Sequence, residues 1–444
     1  MTASQKASQY DGIIVGGGPA GALAARQLAL AGLRPLVLEK HRHPRFHIGE
    51  SLLPRTLQQL RELGLEERLQ QIPHVPKLGG EFLIGHAEDP PVRIWFRDAL
   101  GRSCGESVNL ARAPFDEMLL EAAREAGAEV REDCAVRSIL RLEDGDVAVD
   151  TEEGEFRGQY LIDASGQATV VGRHLGTRQV LPRLKKVAYY GHFRGVRRQP
   201  GPEGGFISII MCEEGWFWII PLDDETTSIG LVLHHGDARK LPVPAHQVLG
   251  WAVRRCPALW QRCEQASFPE RNHVTADFSY TCRPFAGPGY FLTGDAATFV
   301  DPVFSTGVCM GMMSAQRAAE HVTALVQRRG AGAESRRRSY RRYIERSSKP
   351  FFRLVDQFYE PAFRELLLNE EGPFQVHRAL ISLLAGNVFP RPIRSVRWRL
   401  HLFNLFVALQ RRVPLTPRHR PFALFSAGDE SSPQPPLQHS SVLT

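Results

Sequence analysis

The stretch Gly16-Gly17-Gly18-Pro19-Ala20-Gly21 constrains this chain more than any other. It follows an apolar run at 13–15 and opens an Ala/Leu-rich segment that ends at Gly32, after which 35–40 has the look of a second buried strand. Gly16, Gly18 and Gly21 thus form G-x-G-x-x-G at a strand-to-helix turn. The first glycine permits the tight turn, the second lets the backbone approach a pyrophosphate, and the third lets helix and strand pack closely. The start of the helix, at Pro19 and Ala20, faces the phosphates with its partial positive charge. Glu39 closes the second strand, with Lys40 beside it, where an acceptor for a ribose hydroxyl belongs. The glycines alone are weak evidence. Strand, helix, strand and acid together predict a parallel α/β sheet that carries a dinucleotide.

With 444 residues, 43% hydrophobic and 23% charged, the chain can build two or three lobes around real cores, which excludes fibrous and fully disordered classes. The net charge of +7 suits a solvated Arg-rich surface and permits an acidic partner. The seven cysteines are scattered without a C-x-x-C, so no zinc or other metal site is expected and a reducing, cytoplasmic compartment is. The polar first ten residues carry no signal-peptide core, and no apolar run approaches the ~20 residues of a membrane span. No transmembrane segment is expected.

Further along, RAPFDEMLLEAAREAG (112–127) has the spacing of an amphipathic helix, and YLIDASG (160–166) is a strand running into a glycine turn. From about 176 to 280, VAYYGHF, GFISIIM, WFWIIP and TTSIGLVL alternate as an antiparallel sheet does. In WFWIIP, Trp216 and Trp218 are two residues apart, so an extended chain points both indoles to one face. FLTGDA (291–296) then returns to strand and turn, and FVDPVFSTGV (299–308) leads into a long helix.

These motifs carry a resemblance. The Gly16–Gly21 loop, Arg112 at a helix start, YLIDASG, and FLTGDA with Asp295 resemble, in order, the FAD fingerprints of hydroxylase-type flavoproteins over roughly the first 330 residues. GESLLP (49–54) is shared by flavin-dependent halogenases and geranylgeranyl-reductase-like enzymes. WFWIIP fits the W-x-W-x-I-P of flavin-dependent halogenases, FVDPVFSTGV fits their F-x-x-P-x-x-S-x-G, and Lys77 in VPKLGG stands where they carry an essential lysine. The chain most resembles the shorter members that act on pyrrole or phenol rings, free or tethered to acyl or peptidyl carrier proteins. RALISLLAGNVF (378–389) extends the likeness into their C-terminal region.

The resemblance implies a discontinuous Rossmann-type FAD-binding domain (1–80, 105–175 and 281–330), an antiparallel-sheet substrate domain (81–104 and 176–280), a helical C-terminal region (331–426) over the substrate entrance and a disordered tail (427–444). It implies FAD supplied reduced by a separate flavin reductase, held by Gly16, Gly18, Pro19, Ala20, Gly21, Glu39, Lys40, Arg112 and Asp295. A chloride or bromide would sit at Ser305, Thr306 and Gly307 and be oxidised to hypohalous acid. Lys77 would hold the oxidised halogen and aim it at the ring, while Trp216 and Trp218 wall the substrate off from the flavin. Tryptophan halogenases carry a glutamate just before the Ser-Thr-Gly; here that position is Phe304, which makes free tryptophan a poor substrate and a self-activating phenol or pyrrole a better one. The alternatives are an aromatic monooxygenase or a C=C reductase on the same scaffold, which leave Lys77 and the tryptophans without a role. A non-catalytic nucleic-acid module using SRRRSYRR (335–342) lacks any accompanying signature, so no nucleic acid is expected.

Overall fold

A computed structural model describes residues 9–425 apart from 87, 89, 102–104, 370–372, 388 and 390; the expected tail at 427–444 and Cys104 lie outside the described residues. Among those residues two large sheets dominate. The first has eight strands and is parallel at its centre. Tyr10–Val15 pairs in parallel with Gly154–Asp163 on one side and Pro35–Leu38 on the other, and Tyr290–Leu292 and Glu129–Arg131 extend the parallel order outward. Ile13, Ile14, Leu36, Val37, Leu161 and Ile162 are fully buried, as expected for strands covered on both faces. The helices Pro19–Leu30, Arg112–Glu125 and Gly307–Gln327 share that core. Pro19–Leu30 starts at the carboxyl end of Tyr10–Val15, the side on which open α/β sheets bind ligands.

The second sheet runs, in spatial order, His273–Ala276, Lys186–Arg194, Thr226–His234, Gly215–Pro221, Ile207–Met211, Gly79–Leu83 and Val92–Trp95. It is antiparallel except where Ile207–Met211 lies parallel to Gly79–Leu83. Strand alternation divides it into two faces. Trp216, Trp218, Ile209 and Met211 point one way, while Phe217, Ile219, Ile210 and Leu231 point the other.

The stretch 176–280 is not all sheet, as the sequence pattern suggested. Val248–Arg255 and Pro257–Cys263 are helices that cover the face opposite the tryptophans. Val248, Leu249, Ala252, Val253 and Leu259 recur at helical spacing, a short signal that the flanking strand patterns mask.

After Gly307–Gln327 come the helices Ala333–Phe358, Pro361–Leu367, Val376–Leu384 and Arg394–Gln410. Phe351, Leu354, Phe358, Phe363, Leu380 and Phe403 from these helices share one core with Trp216, Trp218 and Phe304. No helix among the described residues is long and apolar enough to cross a membrane.

Candidate active site

The glycine loop is shaped for a ligand's backbone. Gly16 has φ +103, and a Cβ added at Gly21 would lie 1.8 Å from the Gly16 carbonyl oxygen, so neither position accepts a side chain. Gly18 differs: a Cβ there would meet only Arg45 Nη2, at 3.6 Å. The protein leaves room at Gly18 that it does not need for its own packing. The first turn of Pro19–Leu30 has no side-chain cap, so its N–H groups stay free for an anion. Glu39 is buried and accepts from the Gly17 N–H at 2.6 Å and from the His41 N–H at 3.0 Å, while Lys40 is exposed. These features fit a dinucleotide: a side-chain-free turn, open helix amides, a nearby guanidinium and a buried carboxylate acceptor.

Arg112 ties this cradle to the GESLLP loop. Its guanidinium forks onto Asp116 at 2.7 and 2.9 Å and donates to the Ile48 carbonyl at 2.9 Å. Burial pushes the Asp295 carboxyl up to about 6, with the Arg112 charge pulling the other way. Gly294, beside Asp295, packs against Gly311, and a Cβ at Gly311 would sit 3.6 Å from the Ala20 Cβ. Small residues thus bring the first helix, the GDA turn and the Gly307 helix into direct contact.

Lys77 is not a solvated loop residue. It ends the strand His74–Lys77, paired with Ser107–Leu110, and its side chain is 1% exposed. Nζ donates to Ser51 Oγ at 2.8 Å and to the Leu52 carbonyl at 3.0 Å, and lies 5.1 Å from the centre of the Phe96 ring. Burial alone lowers it from 10.5 to about 7, so a large fraction is neutral near neutral pH. Lys77 and Phe304 border one cavity of about 30 Å³, whose walls include Gly80, Phe82, Ile209 and Leu384. Such a space holds a water or two rather than a ring. Glu81 also borders it, but strand alternation aims its carboxylate to the other face, where Ser208 and Arg262 hold it at 2.6 and 2.7 Å.

The turn after Phe304 is free to bind an anion. Ser305 adopts φ 54, and Gly307 begins the long helix without a side-chain cap at Thr306. Among the described residues the amides of Thr306 and Gly307 donate no backbone hydrogen bond. A Cβ at Gly307 would meet nothing closer than the Phe299 ring at 3.7 Å and Asp295 Oδ1 at 3.8 Å. Open amides at a helix N-terminus are the kind of group that holds an anion.

The tryptophans stand in the same core as Phe304. Their ring centres are 5.9 Å apart, and both are at most 5% exposed. Trp218 lies across from Gly230, where a Cβ would come within 2.2 Å of the indole. Trp216 Nε1–H donates to the Tyr359 hydroxyl at 2.9 Å, which donates to Asp301 Oδ2 at 2.6 Å. Asp301 Oδ1 in turn accepts from the Val303 N–H at 3.0 Å. A chain of hydrogen bonds thus links the first tryptophan to the segment that forms the open turn.

The FAD binding domain family matches residues 9–349. A 1H-pyrrole-2-carbonyl peptidyl-carrier-protein brominase of Pseudoalteromonas luteoviolacea is 33% identical over 322 residues, 70% of this chain and 77% of that protein. The chain belongs to the flavin-dependent halogenases. A related chlorinase of the same carrier-bound group from Pseudomonas fluorescens is 27% identical over 406 residues, 86% of this chain and 90% of that protein. A solved flavin-dependent brominase aligns over 90% of this halogenase and 100% of its own chain, with TM-score 0.78 and 28% identity. The myxobacterial chondrochloren halogenase aligns over 89% and 97%, with TM-score 0.72 and 28% identity. The halogenase is accordingly an FAD enzyme that uses chloride or bromide, and the monooxygenase and reductase alternatives are not favoured.

Four residues at this site escaped the sequence reading. Arg45 lies in a loop without periodic pattern, and only folding brings it to Gly18 and, at 3.9 Å, to Glu39. Asp301 lies inside FVDPVFSTGV, at a position that F-x-x-P-x-x-S-x-G leaves open. Tyr359 is 143 residues from the tryptophan it bonds. Gly230 did carry a signal, since a lone glycine inside a strand pattern marks a close approach.

Proposed function

We propose that this halogenase places chlorine or bromine on an electron-rich pyrrole or phenol ring presented on a carrier protein, with Lys77 delivering the halogen. The observation that carries the reading is the burial of Lys77 at a small cavity that it shares with Phe304, the residue that leads into the open turn at Ser305–Thr306–Gly307. Gly16, Gly18, Pro19, Ala20, Gly21, Glu39, Arg45, Arg112 and Asp295 would hold FAD, with Lys40 at its rim; bound and reduced, it supplies with oxygen the oxidising equivalents that turn halide into hypohalous acid. The open turn at Ser305–Thr306–Gly307 would hold the halide by its amides, excluding water. Neutral Nζ of Lys77 then takes the positive halogen from hypohalous acid, a proton and hydroxide leaving as water. The ring carbon attacks that halogen, and the N–halogen electron pair and the ring proton restore the amine.

Trp216 and Trp218 act by bulk, fixing how close a ring comes to the flavin. Phe304 supports a ring whose own nitrogen or oxygen supplies electron density, since no carboxylate is offered there. The pyrrole-2-carbonyl carrier-protein substrates named for two relatives support the tethered form. Reduced FAD would come from a separate reductase, and the free, buried cysteines at 134, 212, 256, 263, 282 and 309 suit the reducing cytoplasm. The test is the product mass from pyrrole-2-carbonyl and hydroxybenzoyl substrates, free and carrier-bound, with reductase, FAD, oxygen and each halide. A hydroxylated product independent of halide would remove the reading.

A further inference from the structure

The helix Ala333–Phe358 carries a row of cations that the mechanism above does not use. Arg338, Arg342, Arg346, Lys349 and Arg353 recur every three or four residues, so they stack along one face of the helix, and each is exposed. Like charges at that spacing repel one another. Neighbouring arginines on the same helix are neutralised: Arg337 pairs with Asp144 and Arg341 with Glu334. Among the described residues the five in the row make no ion pair. A face so arranged is destabilising until an anion lies against it.

The row borders a groove. Arg346, Lys349 and Arg353 line one wall of a cavity of about 490 Å³, with Arg397 and His401 of the last long helix opposite. The floor is apolar, built by Leu354, Leu380, Leu383, Leu400 and Phe403, and among the described residues no carboxylate lines it. The basic face continues into an adjoining depression through Arg338 and Arg342. Cations on the rim and an apolar floor suit a molecule with a phosphate at one end and an uncharged arm at the other.

The groove also leads somewhere. Leu383 lines it, and the next residue, Leu384, borders the Lys77 cavity. The helix Val376–Leu384 is therefore the partition between the two spaces, roughly 10 Å across. The Lys77 cavity is too small for a ring as it stands, so a ring reaches Nζ only when a wall moves, and this helix is the wall on the groove side.

We propose that the groove between the helices Ala333–Phe358, Val376–Leu384 and Arg394–Gln410 is the docking surface for an acidic acyl-carrier protein. Its phosphate sits among Arg346, Arg353 and Arg397, and its pantetheine arm lies on the leucine floor, aiming the acyl ring at the Lys77 cavity. This rests on the carrier-bound reading of the substrate given above.

The test uses the full-length holoenzyme with a stand-alone acidic acyl-carrier protein loaded with pyrrole-2-carbonyl or hydroxybenzoyl, and with the same acyl groups on phosphate-free pantetheine. The variant is Arg346→Gln/Arg353→Gln/Arg397→Gln, in which loss of unpaired like charge leaves folding intact; FAD content and turnover of the pantetheine thioester verify this. A second variant, Lys349→Glu/Arg353→Glu, reverses the charge on one wall of the groove. Both variants should raise KM for the loaded carrier at least tenfold and flatten its dependence on salt, with kcat and pantetheine-thioester turnover unchanged. If wild type prefers the loaded carrier and both variants keep its KM, the docking surface is wrong and the carrier reading stands. If wild type turns over the pantetheine thioester as well as the loaded carrier, or halogenates neither loaded carrier, the carrier reading falls and takes the docking surface with it. Salt-sensitive binding of a duplex or single-stranded oligonucleotide that the variants lose, without any change toward the carrier, would also overturn the proposal.

Discussion

Replacing Lys77 by methionine should stabilise this enzyme while removing its halogenating activity. Methionine keeps most of the apolar stem and discards the buried charge. The ammonium titrates at 10.5 in an ordinary setting and at about 7 in the fold, a gap of about 3.5 pH units. A lysine whose folded value is depressed binds fewer protons folded than unfolded between those two values. Stability therefore rises as pH climbs from about 7 toward 10.5, and below 7 the whole penalty is felt, about 5 kcal/mol at roughly 1.4 per pH unit. Wild type should gain about 3 kcal/mol on the Lys77→Met variant between pH 6 and pH 9. Leaving the Leu52 carbonyl without Nζ costs the variant about 1–2 kcal/mol at both pH values, so it offsets the benefit without altering the pH dependence. Urea denaturation of both proteins at pH 6 and pH 9, with FAD saturating throughout, measures the difference. A gap between the two proteins that changes by less than about 1 kcal/mol would refute burial of the charge as the cause.

Gly18→Val and Gly21→Val should part company: the first folds with the melting temperature of FAD-free wild type yet retains no FAD, while the second, whose Cβ would meet the Gly16 oxygen at 1.8 Å, fails to accumulate as folded protein. Full flavin content in purified Gly18→Val would move the pyrophosphate elsewhere. Arg45→Met should weaken FAD binding about tenfold, the worth of one charge-assisted contact, in a fluorescence titration; unchanged affinity would free Arg45 from that role. Tyr359→Phe orphans Asp301 Oδ2 and the Trp216 indole N–H, so chemical denaturation should register a loss of about 2–4 kcal/mol. A neutral outcome there means the pair is reached by water.

Much of the nucleotide side was legible because its signals are local. G-x-G-x-x-G, the flanking apolar runs and the acid at 39 all lie within one strand-helix-strand unit, and each residue's part follows from backbone geometry. The tryptophan pair was legible for the same reason: period-two alternation fixes which side chains share a face. What stayed hidden depends on distant pairing. The Trp216–Tyr359–Asp301 chain joins three separate segments, and no pattern within any of them announces it. Nor does sequence reveal that Lys77 lies under Ser51 and Leu52, because that contact follows from strand His74–Lys77 pairing with Ser107–Leu110. The basic run near 335–342 was visible but ambiguous. Its meaning turns on which arginines find carboxylates, and that is settled only when Asp144 and Glu334 are in place.

The buried lysine Lys186 has a different status. Its Nζ sits 3.4 Å from the centre of the Tyr359 ring and 2.7 Å from His234 Nε2. Burial lowers its affinity for a proton and raises that of Asp301 nearby. Such buried polar groups are costly, and one attested return is a unique arrangement of the core. Here Lys186, His234 and Asp301 surround Tyr359, which spans the tryptophan strand and the segment preceding the open turn.

Delivery of the halogen to the ring by Lys77 is the step on which the proposed function rests. Its most direct measurement is mass spectrometry of the aromatic product, run in parallel with oxidation of reduced FAD, for wild type and Lys77→Met with bromide and chloride. Wild type should give a singly or multiply halogenated product, with the isotope pattern following the halide supplied, and the variant none although reduced FAD is consumed at a similar rate. Halogenated product from Lys77→Met at the wild-type rate would contradict it.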